Sequence, residues 1–197
     1  MTCRLALLRH GRTAWNRAGR IQGSTDEPLD PEGRDEVAEF ALPAPWDRAR
    51  LWSSPLSRAA ETARIVAGRE PEFTSGLREM DWGDWEGQRG IDLSADTESG
   101  FRHIEDWGWH YHAPNGESPA KLRDRLRPWL DGLEGDNIAV CHIGVMRVLL
   151  ALATGWQFSG PTPFRVKRNR LFVIEQDGGR WRMASADPVR LIRRSNT

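Results

Sequence analysis

Residues 4–16 read Arg4-Leu5-Ala6-Leu7-Leu8-Arg9-His10-Gly11-Arg12-Thr13-Ala14-Trp15-Asn16. Four consecutive apolar residues closed by a polar, glycine-containing loop form the pattern of a buried strand. The stretch Asn137-Ile138-Ala139-Val140-Cys141-His142-Ile143-Gly144 repeats it. In open α/β sheets, ligands bind outside the carboxyl ends of the strands, which is where His10 and His142 would emerge. One histidine ending an apolar strand is more often a satisfied structural residue. Two of them, each followed closely by glycine, favour a functional reading. The glycines permit close backbone approach, and a helix after Gly144 would point free N–H groups at an anion.

Working outward, three helix starts pair a capping residue with proline: Asp30-Pro31, Ser54-Pro55 and Ser118-Pro119. After Ser54, Leu56, Ala59, Ala60, Ala63, Val66 and Ala67 follow helical spacing. After Ser118, Leu122, Leu126, Trp129, Leu130 and Leu133 do the same, and Pro128 is expected to kink or shorten that helix. Val145–Ala153 is apolar except for Arg147, and Gly155 supplies a stop. Arg170–Glu175 and Arg180–Ser185, joined through Gln176-Asp177-Gly178-Gly179, predict a terminal hairpin. Strands alternating with helices predict an α/β sheet with helices on both faces. Residues 87–117 lack clear periodicity and are rich in Trp, His and acidic side chains. They read as a small cap inserted over the sheet edge within one domain spanning 1–197.

Composition sets the outer bounds. Basic and acidic residues balance at 28 each, which argues against a nucleic-acid footprint or a polybasic membrane anchor. No apolar stretch approaches a membrane span of about 20 residues. Cys3 and Cys141 make no disulfide framework, so the chain reads as a reduced, cytoplasmic protein. Only Lys121 and Lys167 are lysines; every other cation is arginine. Codon bias alone explains such an excess, so position has to decide which arginines matter. Arg58 lies in the first turn of the helix expected after Ser54-Pro55, where the dipole disfavours a cation unless an anion binds there.

The ordered motifs resemble a known family. Arg9-His10-Gly11-Arg12-Thr13-Ala14-Trp15-Asn16 is similar to the RHGxTxWN signature of the histidine phosphatase superfamily, with its phosphoglycerate-mutase-like fold. Gly19-Arg20-Ile21-Gln22-Gly23 with Asp26 and Pro28-Leu29 resembles the family's GRxQGxxDxPL loop. Ser53-Ser54-Pro55-Leu56-Ser57-Arg58-Ala59 with Thr62-Ala63 resembles SSPLxRAxxTA. Leu77-Arg78-Glu79 through Trp85-Glu86-Gly87, then Gly116-Glu117-Ser118, then Val140-Cys141-His142-Ile143-Gly144-Val145-Met146-Arg147 follow in the family's order. The resemblance implies a three-layer α/β sandwich with a mostly parallel central sheet.

It also implies roles. His10 would attack phosphorus and form a phosphohistidine that water hydrolyses, splitting one difficult displacement into two. Its other ring nitrogen should donate to an acceptor, such as a backbone carbonyl. Arg9, Arg58 and His142 would hold the phosphoryl oxygens, replacing the metal ions of other phosphoryl-transfer enzymes. Asn16, Gln22 and the Ile143 backbone N–H would add donors. Glu79 would be the general acid for the leaving alkoxide and then the base for water. From the residues alone, Asp81, Asp84 and Glu86 are equal candidates for that role.

Two positions depart from the family pattern. Arg12 stands where many members have glutamate, adding potential at the pocket mouth or merely decorating the surface. Ile143 replaces a small residue, narrowing the pocket unless only its backbone contributes. The short span between Glu79 and His142 favours water as acceptor, and with it a metal- and cofactor-independent phosphatase of a small phosphorylated metabolite. The alternatives are phosphoglycerate-mutase-type transfer, an α-ribazole-phosphate phosphatase, or a non-catalytic phospho-ligand binder. Trp107, Trp109, Tyr111, His103, His110 and His112 form either an aromatic wall against an organic leaving group or the packing of the cap. His110 and His112 are a weak metal signal, and no metal site is expected. A homodimer is an open expectation, with no nucleic acid or membrane partner.

Overall fold

The structure is a computed structural model that describes residues 3–194. The strands are β1 (Arg4–Arg9), β2 (Phe40–Ala41), β3 (Arg50–Ser53), β4 (Glu72–Phe73), β5 (Asp136–Cys141), β6 (Arg170–Asp177), β7 (Arg180–Met183), β8 (Val189–Arg190) and β9 (Ile192–Arg193), interspersed with helices as far as β6 and consecutive thereafter. The helices are α1 (Ala14–Arg17), α2 (Pro31–Ala38), α3 (Ser57–Ala67), α4 (Gly90–Ala95), α5 (Pro119–Asp131) and α6 (Ile143–Thr154). Seven strands form one sheet in the order β4-β3-β5-β1-β6-β7, with β8 also on β6. The β4, β3, β5 and β1 strands run parallel, and β6 runs against β1. A separate pair joins β2 to β9.

The apolar runs fill both faces. Along β1, Leu5 and Leu7 enter a core shared with α5 and α6, whereas Ala6 and Leu8 enter the core under α2 and α3. On β5, Ala139 and Cys141 point to the first core, Ile138 and Val140 to the second. This is why those strands are apolar without alternation: each face is covered by helices. The result is the expected three-layer α/β architecture. Register then sets the site. Arg9 pairs with Cys141, and the His10 amide donates to the Cys141 carbonyl at 3.0 Å, so both histidines leave the sheet side by side.

Two of the three helix starts follow the capping chemistry. Asp30 accepts from the Gly33 amide at 2.5 Å, and Ser118 accepts from the Lys121 amide at 3.3 Å. The third does not. Helix α3 begins at Ser57, with Leu56 in the cap position and no side-chain cap from it; the Ser57 amide donates to Asp26 Oδ1 at 2.8 Å, while the Ser54 hydroxyl, 2.8 Å from His142 Nε2, accepts the Leu56 amide at 3.2 Å. The Ser54 hydroxyl is thus shared between a local amide and a tertiary partner, and the helix itself starts two residues later than Pro55. Pro128 also lies inside α5, which continues to Asp131. The hairpin is tighter than the sequence suggests, since β6 extends to Asp177 and only Gly178 and Gly179 turn, at φ 55° and 81°. Such positive φ values at both turn positions fit glycine in the tight connections that match strand twist.

Residues 87–117 contain α4 and irregular chain over a nest of rings. Trp107 lies 5.0 Å from Trp82 and 6.1 Å from Trp85, ring centre to ring centre, and both Trp85 and Trp107 are buried. Truncating either ring to alanine should cost about 3–5 kcal/mol. Packing therefore accounts for Trp107 and for Tyr111, which stacks edge-on against it. Among the described residues no helix is long and apolar enough to cross a membrane.

Candidate active site

Buried His10 anchors the site. Its Nδ1 lies 2.7 Å from the Gly11 carbonyl. A carbonyl only accepts, so the ring proton sits on Nδ1 and Nε2 keeps its lone pair. Burial, then the neighbouring charges of Arg58, Arg9 and Arg168, push its pKa well below the ordinary histidine value. The imidazole is therefore neutral, as a nucleophile must be. The loop beyond it is pinned by Thr62, whose hydroxyl accepts the Gly11 amide at 3.0 Å and donates to the Arg58 carbonyl at 2.6 Å. Gly11 itself faces away from any ligand: a Cβ there would meet Val37 at 2.6 Å and Leu29 at 3.0 Å.

A cavity of about 160 Å³ opens over His10, lined by Arg9, Asn16, Gln22, Glu79, Trp82 and Ile143 among others. Arg9, Asn16, Gln22, Glu79 and Ile143 thus come together around His10. His142 and Arg58 stand one layer behind. The His142 ring centre is 5.1 Å from that of His10, and Arg58 donates to the carbonyls of Gly23 and Thr25, both at 2.8 Å. Arg58 is wholly buried, which rules out a solvated surface cation at the helix start. Arg9 Nε, Arg58 Nε and His142 Nδ1 are buried without a partner, three of only four such side-chain atoms among the described residues. Orphaned buried donors are costly and call for an explanation. All three belong to groups that neighbour His10, although only Arg9 lines the cavity itself, and such a cluster fits an anion.

Burial lowers the Arg9 pKa to about 9, with Arg168 adding to the effect. Arg168 is not legible in the sequence. It donates to the His10 carbonyl at 3.1 Å and to Asn16 Oδ1 at 2.6 Å. From there Asn16 Nδ2 donates to Gln22 Oε1 at 3.0 Å, and Gln22 Nε2 donates to Thr13 Oγ1 at 2.6 Å. Each amide spends one N–H on this chain and retains another. Thr13 also accepts the Asn16 amide at 3.1 Å. Thr13, Asn16 and Gln22 lie within ten residues of one another, whereas Arg168 joins them from the far end of the chain, where no local spacing announces it.

Glu79 is buried, with Oε1 accepting the Met80 amide at 2.9 Å and Oε2 the Gly144 amide at 3.1 Å. One of the α6 amides expected to face an anion is therefore given to this carboxyl. A Cβ on residue 144 would lie 2.4 Å from Glu79 Oε1, so glycine there admits the carboxyl. The neighbouring acids have other work. Glu86 accepts amides from Ser24, Thr25 and Trp82 at 2.6–3.1 Å; burial alone would raise its pKa, but these hydrogen bonds hold it below the usual range. Asp81 caps Gly83 at 2.8 Å, and Asp84 accepts from Asn115 at 3.0 Å. Only Glu79 of the four lines the cavity over His10.

Arg125 holds this acidic segment in place. Its guanidinium donates to the carbonyls of Ser75, Gly76 and Arg78 at 2.8–3.1 Å, and it forks onto Glu117 at 2.8 and 3.0 Å. Arg12 is a surface residue, 3.7 Å from Glu36. Ile143 does line the cavity. Of the cap aromatics considered as a ligand wall, none lines it; Trp82 does. His112 Nδ1 faces the Ala113 carbonyl at 2.8 Å, and among the described residues no three metal-ligating side chains gather.

Comparisons with known proteins show the family and the fold. The model of the histidine phosphatase superfamily (branch 1) matches residues 5–187, and the chain belongs to that family. A probable phosphoglycerate mutase, GpmB, of Salmonella newport is 37% identical over 130 residues, covering 61% of this chain and 58% of that protein. The match thus spans less than two thirds of the curated relative. The crystal structure of a phosphoglycerate mutase from Thermus thermophilus superimposes with a TM-score of 0.71 at 32% identity, covering 96% of this chain and 98% of the other. A structure named mycobacterial hydrolase 1 gives 0.75 at 24% identity, over 94% and 98% of the two chains, which supports the fold alone.

Proposed function

We propose that the protein is a phosphomonoester hydrolase working through a phosphohistidine, without a metal, on a small phosphorylated metabolite. The observation that carries this reading is the His10 Nδ1 to Gly11 carbonyl contact of 2.7 Å, which directs the Nε2 lone pair outward beneath an arginine-rich cavity. His10 Nε2 bonds to phosphorus as the ester P–O bond breaks. The leaving oxygen takes the proton of Glu79. Water then attacks the phosphohistidine, gives a proton to Glu79 and releases inorganic phosphate and neutral His10. Arg9, Arg58 and His142 meet the charge that develops on the equatorial oxygens. Asn16, Gln22 and the Ile143 amide orient them.

Phosphoglycerate-mutase-type transfer is the second reading, favoured by the names of the relatives at 37% and 32% identity. In that case the phosphohistidine passes its phosphoryl group to an organic acceptor rather than to water. An α-ribazole-phosphate phosphatase is a narrower version of the first reading. A non-catalytic phospho-ligand binder would have no use for the pairing of a neutral His10 with Glu79.

The test is incubation with an aryl phosphate in EDTA. Turnover together with an acid-labile, base-stable phosphoenzyme that disappears in His10→Ala is the expected result. Normal turnover by His10→Ala would overturn the reading. Glu79→Gln should lose more activity on alkyl than on aryl phosphates, because aryl oxides leave with less protonation. Isomerised 3-phosphoglycerate in the presence of the bisphosphate would select the mutase.

A further inference from the structure

On its outer edge β6 meets two partners in turn. Arg170 and Leu171 pair with Arg190 and Val189 of β8, and Ile174 through Asp177 pair with β7. Between β7 and β8 the chain leaves the ladder, and Ala186, Asp187 and Pro188 become one wall of a cleft of about 930 Å³. The end of α6 and the 163–167 stretch complete it. That volume lies near the top of the roughly 300–1,000 Å³ of ordinary ligand pockets. The cleft shares no lining residue with the cavity over His10, and Arg168 turns the other way, to His10 and Asn16.

Two kinds of surface line this cleft, in sequence along one row. Side chains alternate across a strand, so Arg170, Phe172 and Ile174 share a face of β6 at steps of about 7 Å. Phe172 and Met183, the latter opposite Ile174, give the cleft an apolar floor, and Phe164 adds a wall. At the head of the row Arg170 and Arg190 stand directly opposite one another. Like charges so placed destabilise a strand pair. Elsewhere in the sheet Arg4 faces Asp136, Arg180 faces Asp177 and Arg182 faces Glu175. Among the described residues, neither Arg170 nor Arg190 has a carboxylate within 4.0 Å. Arg165 and Lys167 bring two more cations to the same cleft, against the single acid Asp187. A cleft with one predominant sign of charge and low-dielectric walls concentrates counter-ions.

We propose that this cleft binds a small amphipathic carboxylate, a single anionic head on a straight apolar tail, as a ligand site separate from the phosphoryl pocket. The carboxylate offers one oxygen to each of Arg170 and Arg190 and relieves their repulsion. Its tail follows the row over Phe172 toward Met183, with Phe164 beside it. A bare anion would leave the apolar floor wet, and a neutral hydrocarbon would leave two guanidinium groups opposed. Both parts of the ligand are therefore required.

Calorimetric titration of the intact protein tests this without requiring turnover. Octanoate carries head and tail, octan-1-ol the tail alone and acetate the head alone. Octanoate should bind at least about tenfold more tightly than either of the others, the scale of one charge-assisted hydrogen bond. Arg190→Ala, at an exposed position, should weaken octanoate about tenfold. Met183→Ser, which removes part of the apolar floor, should weaken it by a similar factor. Arg48→Ser, outside the cleft, and Arg9→Met, which disables the phosphoryl pocket, should leave octanoate binding unchanged. Octanoate binding no tighter than octan-1-ol or acetate overturns the proposal. So does an affinity insensitive to Arg190→Ala or to Met183→Ser, or one lost in Arg9→Met. None of these results would touch the phosphatase reading, which fails separately if the His10 enzyme forms no phosphoenzyme.

Discussion

Glu79 and Gly144 are locked together: the carboxyl accepts the Gly144 amide at 3.1 Å, and no side chain at 144 leaves room for it. The glycine following the second histidine therefore serves the proposed general acid more directly than it serves a phosphate. Gly144→Ala places a methyl 2.4 Å from Glu79 Oε1 and must displace the carboxyl. We expect kcat to fall on the order of 10²-fold, the usual range for a lost acid–base group. The loss should be greater for alkyl than for aryl phosphates. Steady-state kinetics on both substrate types, with circular dichroism to verify folding, measure it; an unchanged alkyl-to-aryl ratio counts against the assignment.

Arg125 acts through Glu79 without touching the cavity over His10. Its donors hold the carbonyls of residues 75, 76 and 78 while Glu117 orients it. Arg125→Met should lower kcat about tenfold and leave KM for an aryl phosphate within about twofold, because phosphate binding is untouched while the acid loses its register. Lysine should recover little, having a single point of charge in place of the planar fork. A change confined to KM would show that Arg125 binds substrate instead.

Acid should destabilise the protein through its two strand-end histidines. Burial, followed by arginine neighbours, pushes both His10 and His142 well below 6.5. The unfolded chain then binds more protons than the folded one at pH values below about 6.5, so stability falls as pH drops through that range. Each histidine contributes a slope of about 1.4 kcal/mol per pH unit until its own folded value is reached. Urea unfolding at several pH values between 5 and 8 should show it, and a His142→Asn variant should have a shallower slope than wild type. Equal slopes would mean that His142 does not remain neutral.

Ser54→Ala separates tertiary from local chemistry at the start of α3. The hydroxyl takes part in a 2.8 Å contact with His142 Nε2 and accepts the Leu56 amide at 3.2 Å. Its removal leaves a buried ring nitrogen unpaired, at a cost of about 1–3 kcal/mol. Thermal unfolding should register that loss, and activity should fall with it. Wild-type stability would show that water replaces the hydroxyl.

What can be read from sequence is whatever local pattern determines. The two apolar runs form adjacent strands, and Asp30 and Ser118 form caps, because each outcome depends on residues within one element. At Ser54 the local pattern is incomplete: its hydroxyl keeps the Leu56 amide but also meets His142, and the first amide of α3 goes to Asp26, both partners far away in sequence. Helix α5 includes Pro128 and ends at Asp131, three residues beyond it and short of Leu133. Arg168 gives no signal, since its function exists only after α1 and the approach to β6 meet; Thr13 belongs to the quoted motif, but its bond to Gln22 appears only in the fold. The choice of Glu79 over its acidic neighbours comes from family resemblance. The structure adds a physical reason, since hydrogen bonds hold Glu86 below the usual carboxylate range and Asp81 and Asp84 are spent on turns.

The position of β1 has a consequence during synthesis. Its two neighbours in the sheet are β5 and β6, both from the later part of the chain. When Leu5-Ala6-Leu7-Leu8 leaves the ribosome, its ladder partners do not yet exist, and the chain must be extended to Asp136–Cys141 before the first of them can pair with it. Until then an apolar strand with two open edges depends on helices or chaperones for cover. His10 and His142 come side by side only when that long-range pairing closes, so the cavity over His10 cannot form before residues 136–142 have joined β1.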